Sequence, residues 1–324
     1  MEQKAYIVKH RDLETRMASR SGGIFTAVSD VVLEAGGVVY GSAVNDQFQA
    51  EHRRGRTKME RNFFRGSKYV QSSMGDCYKQ VKTDLANGTT VLFSGTGCQV
   101  NGLKAFLGEM ANTEKLLTMD IVCHGVPSPM IWSAFLSWME KRYHGKIETV
   151  NFRDKRYGWM AHFETVRING KLRVADFYRA MFYKHYTLRP SCYECPFANL
   201  DRKGDISIAD AWGIDWKHSD FNDDKGCSLV LINTEKGDKY YREALGDVEQ
   251  IEVPISEFMQ PNLVKPSSRP VNRASFWNDF YENGFDFISR KYGMNTPKGR
   301  IISRVKRFLG KTHTTKLVKK VLKK

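Results

Sequence analysis

Residues 89–107 read TTVLFSGTGCQVNGLKAFL, and residues 116–145 read LLTMDIVCHGVPSPMIWSAFLSWMEKRYHG. Each stretch opens with a short apolar run, TTVLF or LLTMDIV, of strand length. Each then breaks at small or turn-forming residues, SGTG or CHGVPSP, and resumes with helical spacing. Pro129 suits the first turn of the second helix. Two βα units in succession predict neighbouring parallel strands joined by a right-handed crossover, and so an α/β fold.

Upstream, residues 22–44 hold a glycine pair, an apolar helix (GIFTAVSDVVLEAG) and a run, GGVVYGSAV, that reads as a buried strand. Beyond residue 145 the texture changes to hairpin segments, IETVNFRDK and HFETVRINGKLRV, with Asn169-Gly170 as a two-residue turn. DISIADAWGI then reads as a strand, and SLVLINTEKGDKYYREAL as a strand followed by a helix. The expected fold class is α/β with α+β character in the second half: a mixed sheet with parallel βα units and antiparallel hairpins.

The formal net charge is +15, which suggests nucleic acid until the charge is located. Eleven Lys or Arg and no Asp or Glu lie between Pro297 and Lys324, leaving about +4 for the other 296 residues. The basic balance thus belongs to an appendage, and nucleic acid is not an expected partner. No run of about 18 apolar residues exists, and the first twenty residues are polar, so neither a membrane span nor a secretory signal is expected. The expected location is the cytoplasm.

Six cysteines are too few and too scattered for a disulfide framework. Cys98 and Cys123 each follow a predicted strand of successive βα units, and the crevice beyond such strand ends is where open parallel sheets bind ligands. Cys192 and Cys195 form a CxxC in RPSCYECPF. The four thiols admit a [4Fe–4S] cluster, zinc or no metal; one knuckle plus two isolated cysteines at core strand ends suits a cluster better than a zinc ribbon. Cys77 in a helix and Cys227 heading an apolar strand read as structural. A rival reading makes Cys123 a nucleophile served by a histidine, with His124, His162 and His185 as the candidates.

Ser19, Ser21, Gly22 and Gly23 precede a long helix, which admits either an anion site at the helix start or a plain N-cap with close packing. The SGTG loop, Ser94 to Gly97, matches neither a GxGxxG fingerprint nor a P-loop, but its small residues allow a flat ring or phosphate to approach. Gly66, Ser67, Lys68 and Tyr69 form a compact polar group whose plain reading is surface.

SRSGGIFTA, GGVVYGSA, RGSKYVQS, VLFSGTGCQVNGLKAFL, DIVCHGVPSP, FRDKRYGW, LRPSCYECPF and DISIADAWGI, in that order, resemble the coenzyme F420 hydrogenase/dehydrogenase beta subunit family over residues 5–245. The resemblance implies an iron–sulfur flavoprotein oxidoreductase that binds FAD beside a [4Fe–4S] cluster. By carry-over, Cys98, Cys123, Cys192 and Cys195 are the cluster ligands. Ser21, Gly22, Gly23, Ser67, Lys68, Tyr69, Ser94, Gly95, Thr96 and Gly97 line the flavin site. Asp205, Asp210, Trp212 and Gly213 shape the crevice, with Asp210 as a polar contact to cofactor or substrate. The implied division is a flavin-binding part (1–88), an iron–sulfur and cofactor-binding part (89–250), an extension (251–296) and a basic amphipathic tail (297–324).

Many relatives carry a ferredoxin-like segment with CxxCxxC spacing that this sequence lacks, so the expected partner is a separate ferredoxin-like electron-transfer protein or a subunit of a redox complex. The loop reads GTGCQ where GTPCQ is usual, a change of stiffness more than of chemistry. The hydride donor, coenzyme F420 or another, is left open, as is a role in polysaccharide biosynthesis, a setting in which the family also occurs. The alternative is a zinc-bound or non-redox accessory protein of surface-polysaccharide assembly. The tail has apolar residues at 301, 302, 305, 308 and 309, then 317, 318, 321 and 322, with Lys and Arg opposite. That pattern suits an anionic membrane surface at the inner face, an acidic protein or a solvated tail.

Overall fold

The computed structural model describes residues 2–160 and 162–311. The apolar tail positions 317, 318, 321 and 322 lie outside them. In chain order the strands are β1 (Lys4–His10), β2 (Val38–Val44), β3 (Ala50–Gly55), β4 (Val91–Thr96), β5 (Leu116–Ile121), β6 (Ile147–Asn151), β7 (Thr165–Ile168), β8 (Lys171–Val174), β9 (Ile206–Asp210), β10 (Ser228–Ile232) and β11 (Val248–Glu252). The chain forms two compact units that follow contact, not chain order: Met1–Gly125 with Glu194–Ser267, and Val126–Tyr193 with Ser268–Lys324.

The first unit is built on an eight-stranded sheet in the order β11-β1-β10-β9-β5-β4-β2-β3. β9, β5, β4 and β2 run parallel to one another; β10, β1 and β11 continue antiparallel on one side and β3 on the other. The fold is the expected α/β class, and β4 and β5 are the expected parallel neighbours. Strand sequences such as VLF and SLVLI are apolar without alternation because both faces are covered. On one face Val39, Leu92, Leu117 and Val230 meet Ala27, Val28 and Val32 of the helix Ile24–Glu34. On the other, Tyr40, Val91, Phe93 and Leu116 meet Val81 and Leu85 of the helix Cys77–Ala86, and Val100 and Leu103 of the helix Gly97–Leu107. Each such fully buried Val, Leu or Phe contributes about 1.5–3 kcal/mol.

The second unit holds the antiparallel sheet β6-β7-β8, the helix Pro129–Tyr143 and the helix Arg273–Lys291. Asn169 and Gly170 turn β7 into β8 with φ of 51° and 68°, the left-handed pair that the sequence predicts for a two-residue hairpin. Ser128 caps the helix Pro129–Tyr143 by accepting from Met130 N at 3.2 Å, and Pro129 occupies its first turn as expected. Trp132, Phe135, Phe152 and Tyr178 pack into an aromatic core, stacked at Trp132–Phe135 and Trp132–Phe152 and edge-on or tilted at Tyr178, with ring centroids 4.8–5.1 Å apart.

Two local expectations need correction. SGTG is not a loop: β4 runs on through Ser94, Gly95 and Thr96, and the next helix begins at Gly97. Gln99 makes this one-residue switch possible, because its Oε1 reaches back to accept from Thr96 N at 2.9 Å. Neither Ser19 nor Ser21 caps the helix Ile24–Glu34; Gly23, at φ 94°, is its N-cap and supplies no side chain.

Candidate functional site

Strand register defines the site. Thr96 pairs with Ile121 across β4 and β5, and Ile121 with Ile208 across β5 and β9. Two residues past each member of that row stand Cys98, Cys123 and Asp210. Three adjacent parallel strands therefore deliver two thiols and a carboxylate to one edge, the carboxyl edge where open parallel sheets place ligands.

Asp210 is the hub at the β9 end. The Ser21 hydroxyl and the Arg20 guanidinium donate to its two carboxylate oxygens, and Gln260 donates to its backbone carbonyl. Arg20 also donates through Nε to the Tyr69 hydroxyl at 3.3 Å, and its guanidinium lies 6.0 Å from the Trp212 ring centroid. The structure thus joins Ser21, Tyr69, Asp210 and Trp212 through Arg20, a residue that sequence reading missed. Its only signal was its place between two serines before the glycine pair. Asp205 lies elsewhere: it precedes β9 at the opposite end of the strand, where it accepts from Thr118 N at 2.8 Å, Thr118 Oγ1 at 2.7 Å and Thr234 Oγ1 at 2.8 Å. Its place in the crevice is corrected to a structural knot inside the sheet. Gly213 is left-handed at φ 96° and begins the short helix after Trp212.

Gly22 threads between β1 and β10. A Cβ there would stand 2.0 Å from the Val8 carbonyl and 2.7 Å from Ser228 N; its N–H donates to Ser228 Oγ at 2.9 Å and its carbonyl accepts from His10 N at 2.7 Å. A Cβ on Gly23 would stand 2.9 Å from His10 Cβ. Chain packing by itself requires glycine at both positions.

At the β4 end the arrangement rests on a buried histidine, also missed. His52 Nε2 lies 3.2 Å from the Ser94 carbonyl and Nδ1 lies 3.0 Å from Ser72 Oγ; Gln99 Nε2 donates to Ser72 Oγ at 2.9 Å. A carbonyl only accepts, so Nε2 carries the proton, and Nδ1 accepts from the Ser72 hydroxyl. Burial pushes the His52 pKa down to about 4, which keeps the ring in that neutral form. Gln99 then ties the relay back to Thr96 N. Gly95 packs on Gln99, whose Cβ is 3.1 Å from where a Gly95 Cβ would be.

The segment Gly66–Ser72 joins the two ends: Tyr69 bonds Arg20, and Ser72 bonds His52 and Gln99. It is a built wall of the site rather than plain surface. Gly66 is left-handed at φ 79°, and Ser67 is half-buried. Lys68 donates to the carbonyls of Phe63 and Arg65, both at 2.9 Å; burial pushes its pKa down to about 7, while the two acceptors work the other way.

Three cysteine segments of the first unit meet near this edge. Cys98 is exposed, with Sγ 3.0 Å from Thr96 Oγ1; Cys123 is half-buried and its Sγ accepts from Gly125 N at 3.3 Å. Cys195 is half-buried, and Phe197, two residues on, packs on Gly97, where a Cβ would stand 3.1 Å from Phe197 Cβ. The guanidinium of Arg202, 2% exposed, pins that turn to β5: it donates to the carbonyls of Phe197 (2.9 Å) and Ile121 (3.1 Å) and to Asp120 Oδ1 (3.0 Å). Arg202 had no motif to announce it. Cys192 belongs to the second unit, where its N–H donates to the Arg189 carbonyl at 2.9 Å. Among the described residues no three His, Cys, Asp or Glu side chains are gathered so that they could hold a metal ion. As a fit test for a cluster, the donors are of the right kind: thiols with N–H and hydroxyl neighbours at sulfur, the contacts that tune iron–sulfur centres.

Cys77 and Cys227 are buried, and burial pushes the Cys77 thiol up to about 12. Within the second unit His162 Nδ1 bonds the Tyr183 hydroxyl at 2.7 Å and His185 Nδ1 the Ser268 carbonyl at 2.8 Å.

A mixed sheet whose parallel strands carry cysteines, a buried ion pair and small residues to one carboxyl edge places this chain in the α/β class. The chain belongs to the coenzyme F420 hydrogenase/dehydrogenase beta subunit family, whose C-terminal region matches residues 88–256. Membership makes it a redox protein of the hydrogenase/dehydrogenase subunit type. A chain in the structure of the F420-reducing [NiFe] hydrogenase complex from Methanosarcina barkeri is similar in fold, with a TM-score of 0.53 and 20% identity over 89% of this chain and 90% of that one. No curated protein sequence matches. No helix among the described residues is long and apolar enough to cross a membrane.

Proposed function

We propose that the chain is an iron–sulfur flavoprotein that passes electrons between a hydride carrier and a one-electron partner, with FAD at the carboxyl edge and a [4Fe–4S] cluster beside it. One observation carries the reading: the segment Gly66–Ser72 binds the Asp210 end through Tyr69 and the Cys98 end through Ser72, making one continuous polar wall along the strand ends. FAD, when bound, supplies the conversion between two-electron and one-electron chemistry. Ser21, Ser67, Lys68, Tyr69 and Ser94 to Gly97, where β4 passes into the next helix, would line it, with Gly22 and Gly23 shaping the backbone beside it; Cys98, Cys123, Cys192 and Cys195 would hold the cluster.

The chain's own residues orient and exclude. Arg20 neutralises Asp210, so the edge carries no bare carboxylate against a ligand phosphate. Neutral His52 fixes the Ser94 carbonyl without adding charge beside the thiols. The Arg202–Asp120 pair, buried and fully bonded, holds the Cys195 turn on β5.

The electron partner would be a ferredoxin-like protein or another subunit of a redox complex, in the cytoplasm. The hydride carrier would be coenzyme F420 or a relative, with polysaccharide biosynthesis as one setting. Anaerobic purification with iron, sulfide and flavin assays tests this. About four irons per chain with bound FAD is expected; a colourless protein that takes up neither FAD nor a reconstituted cluster overturns the reading in favour of a non-redox or zinc-bound accessory role.

A further inference from the structure

The helix Pro297–Lys311, PKGRIISRVKRFLGK, sits on its unit the wrong way round for a soluble amphipathic helix. Positions 300, 303 and 307 form one polar stripe that bonds or packs against the rest of the second unit, Arg300 while itself exposed. Arg300 Nε donates to Asn295 Oδ1 at 3.1 Å, the Ser303 hydroxyl donates to the Asp176 carboxylate, and Arg307 is half-buried. The helix also packs beside Lys155–Tyr157. The apolar side chains are turned outward: Ile301, Ile302, Val305 and Phe308 are 61%, 36%, 53% and 69% exposed. Exposed Lys298 and Arg304 lie one turn from them along the same side, since residues three and four apart are neighbours on a helix.

We propose that this face docks the protein on an anionic lipid surface. Charge selects the occupant. Eleven Lys or Arg and no Asp or Glu lie in residues 297–324, so a second copy of the chain would be repelled, while a uniformly negative surface attracts every position at once. The apolar residues suit insertion at the headgroup boundary, where basic neighbours stay with the phosphates. A helix of 15 residues, about 22 Å long, lies along such a surface and does not span it.

The test is cosedimentation of the full chain with vesicles of phosphatidylcholine alone or mixed with phosphatidylserine. The chain is expected to sediment with the mixed vesicles only. The double substitution V305E/F308E, on exposed positions, is expected to weaken this at least about tenfold with the thermal midpoint unchanged. Equal sedimentation on phosphatidylcholine alone, or equal binding by the variant, overturns the proposal. So does failure to bind mixed vesicles while poly-glutamate retains the chain through the same residues, an outcome that assigns the face to an acidic protein. None of these outcomes depends on iron or flavin content.

Discussion

Arg20 and Asp210, 190 residues apart in sequence, form an ion pair at the carboxyl edge of the sheet with side chains only 10% and 12% exposed. Arg20 is also the link from Asp210 to Tyr69, so the pair couples the end of β9 to the segment Gly66–Ser72.

Removing one partner of a buried pair leaves the other uncompensated. Asp210→Ala is expected to destabilise the fold by about 3 kcal/mol, read as a lower urea midpoint, and to lower FAD content. Asp210→Asn retains two polar atoms facing Ser21 and Arg20 and is expected to lose less stability than the alanine variant. Equal midpoints for the two variants would show that the pair is not what holds this edge.

His52 sets a pH dependence. Its folded pKa, about 4, lies below the ordinary 6.5, so between those values the unfolded chain binds a proton that the folded chain does not. Stability is full above pH 6.5, falls as pH drops toward 4 and flattens below it; the loss is at most about 3 kcal/mol. Urea midpoints at pH 7.5 and 5 should differ more in the wild type than in His52→Gln. An unchanged difference would remove His52 as the cause.

Arg202→Lys keeps the charge but not the planar fork that serves Asp120 and the Phe197 and Ile121 carbonyls together. The variant is expected to fold with a lower thermal midpoint and to bind markedly less iron after reconstitution. Wild-type iron content in a folded Arg202→Lys protein would mean that this pin does not position the cysteine turn.

Two glycines of the site segments should respond to the same change by different amounts. Gly22→Ala would drive a methyl into the Val8 carbonyl and is expected to abolish folding or cost more than about 3 kcal/mol. At Gly66 nothing lies within 4 Å of a Cβ, so Gly66→Ala bears only the left-handed backbone penalty of about 1–2 kcal/mol. Circular dichroism and thermal melts of both variants decide the matter.

Much of the scaffold was legible because it depends on local pattern. TTVLF and LLTMDIV could only be strands of a covered sheet, the Asn169-Gly170 pair only a tight hairpin turn, and Pro129 a helix start. Where the reading failed, the deciding partner was remote. SGTG looked like a loop because glycine and serine are loop residues, yet register with β5 and the reach of Gln99 keep Ser94–Thr96 in the strand. The Gly22–Gly23 pair admitted either an anion site or close packing, and the packing partners, β1 and β10, lie far off in sequence. Asp205 and Asp210, five residues apart, looked alike, and the strand β9 between them puts them at opposite ends of the sheet.

By itself the sequence determined the α/β class, the parallel pair of βα units and the arrival of Cys98 and Cys123 at strand ends, because periodicity and turn chemistry act over a few residues; the family was legible from the order of its motifs. Only tertiary structure decided that Arg20, His52, Gln99 and Arg202 organise that edge, and that the tail helix turns its apolar side outward. A lone polar side chain carries no periodicity, and which face of a helix is buried depends on partners such as Asp176 and Asn295 that no spacing within the helix records.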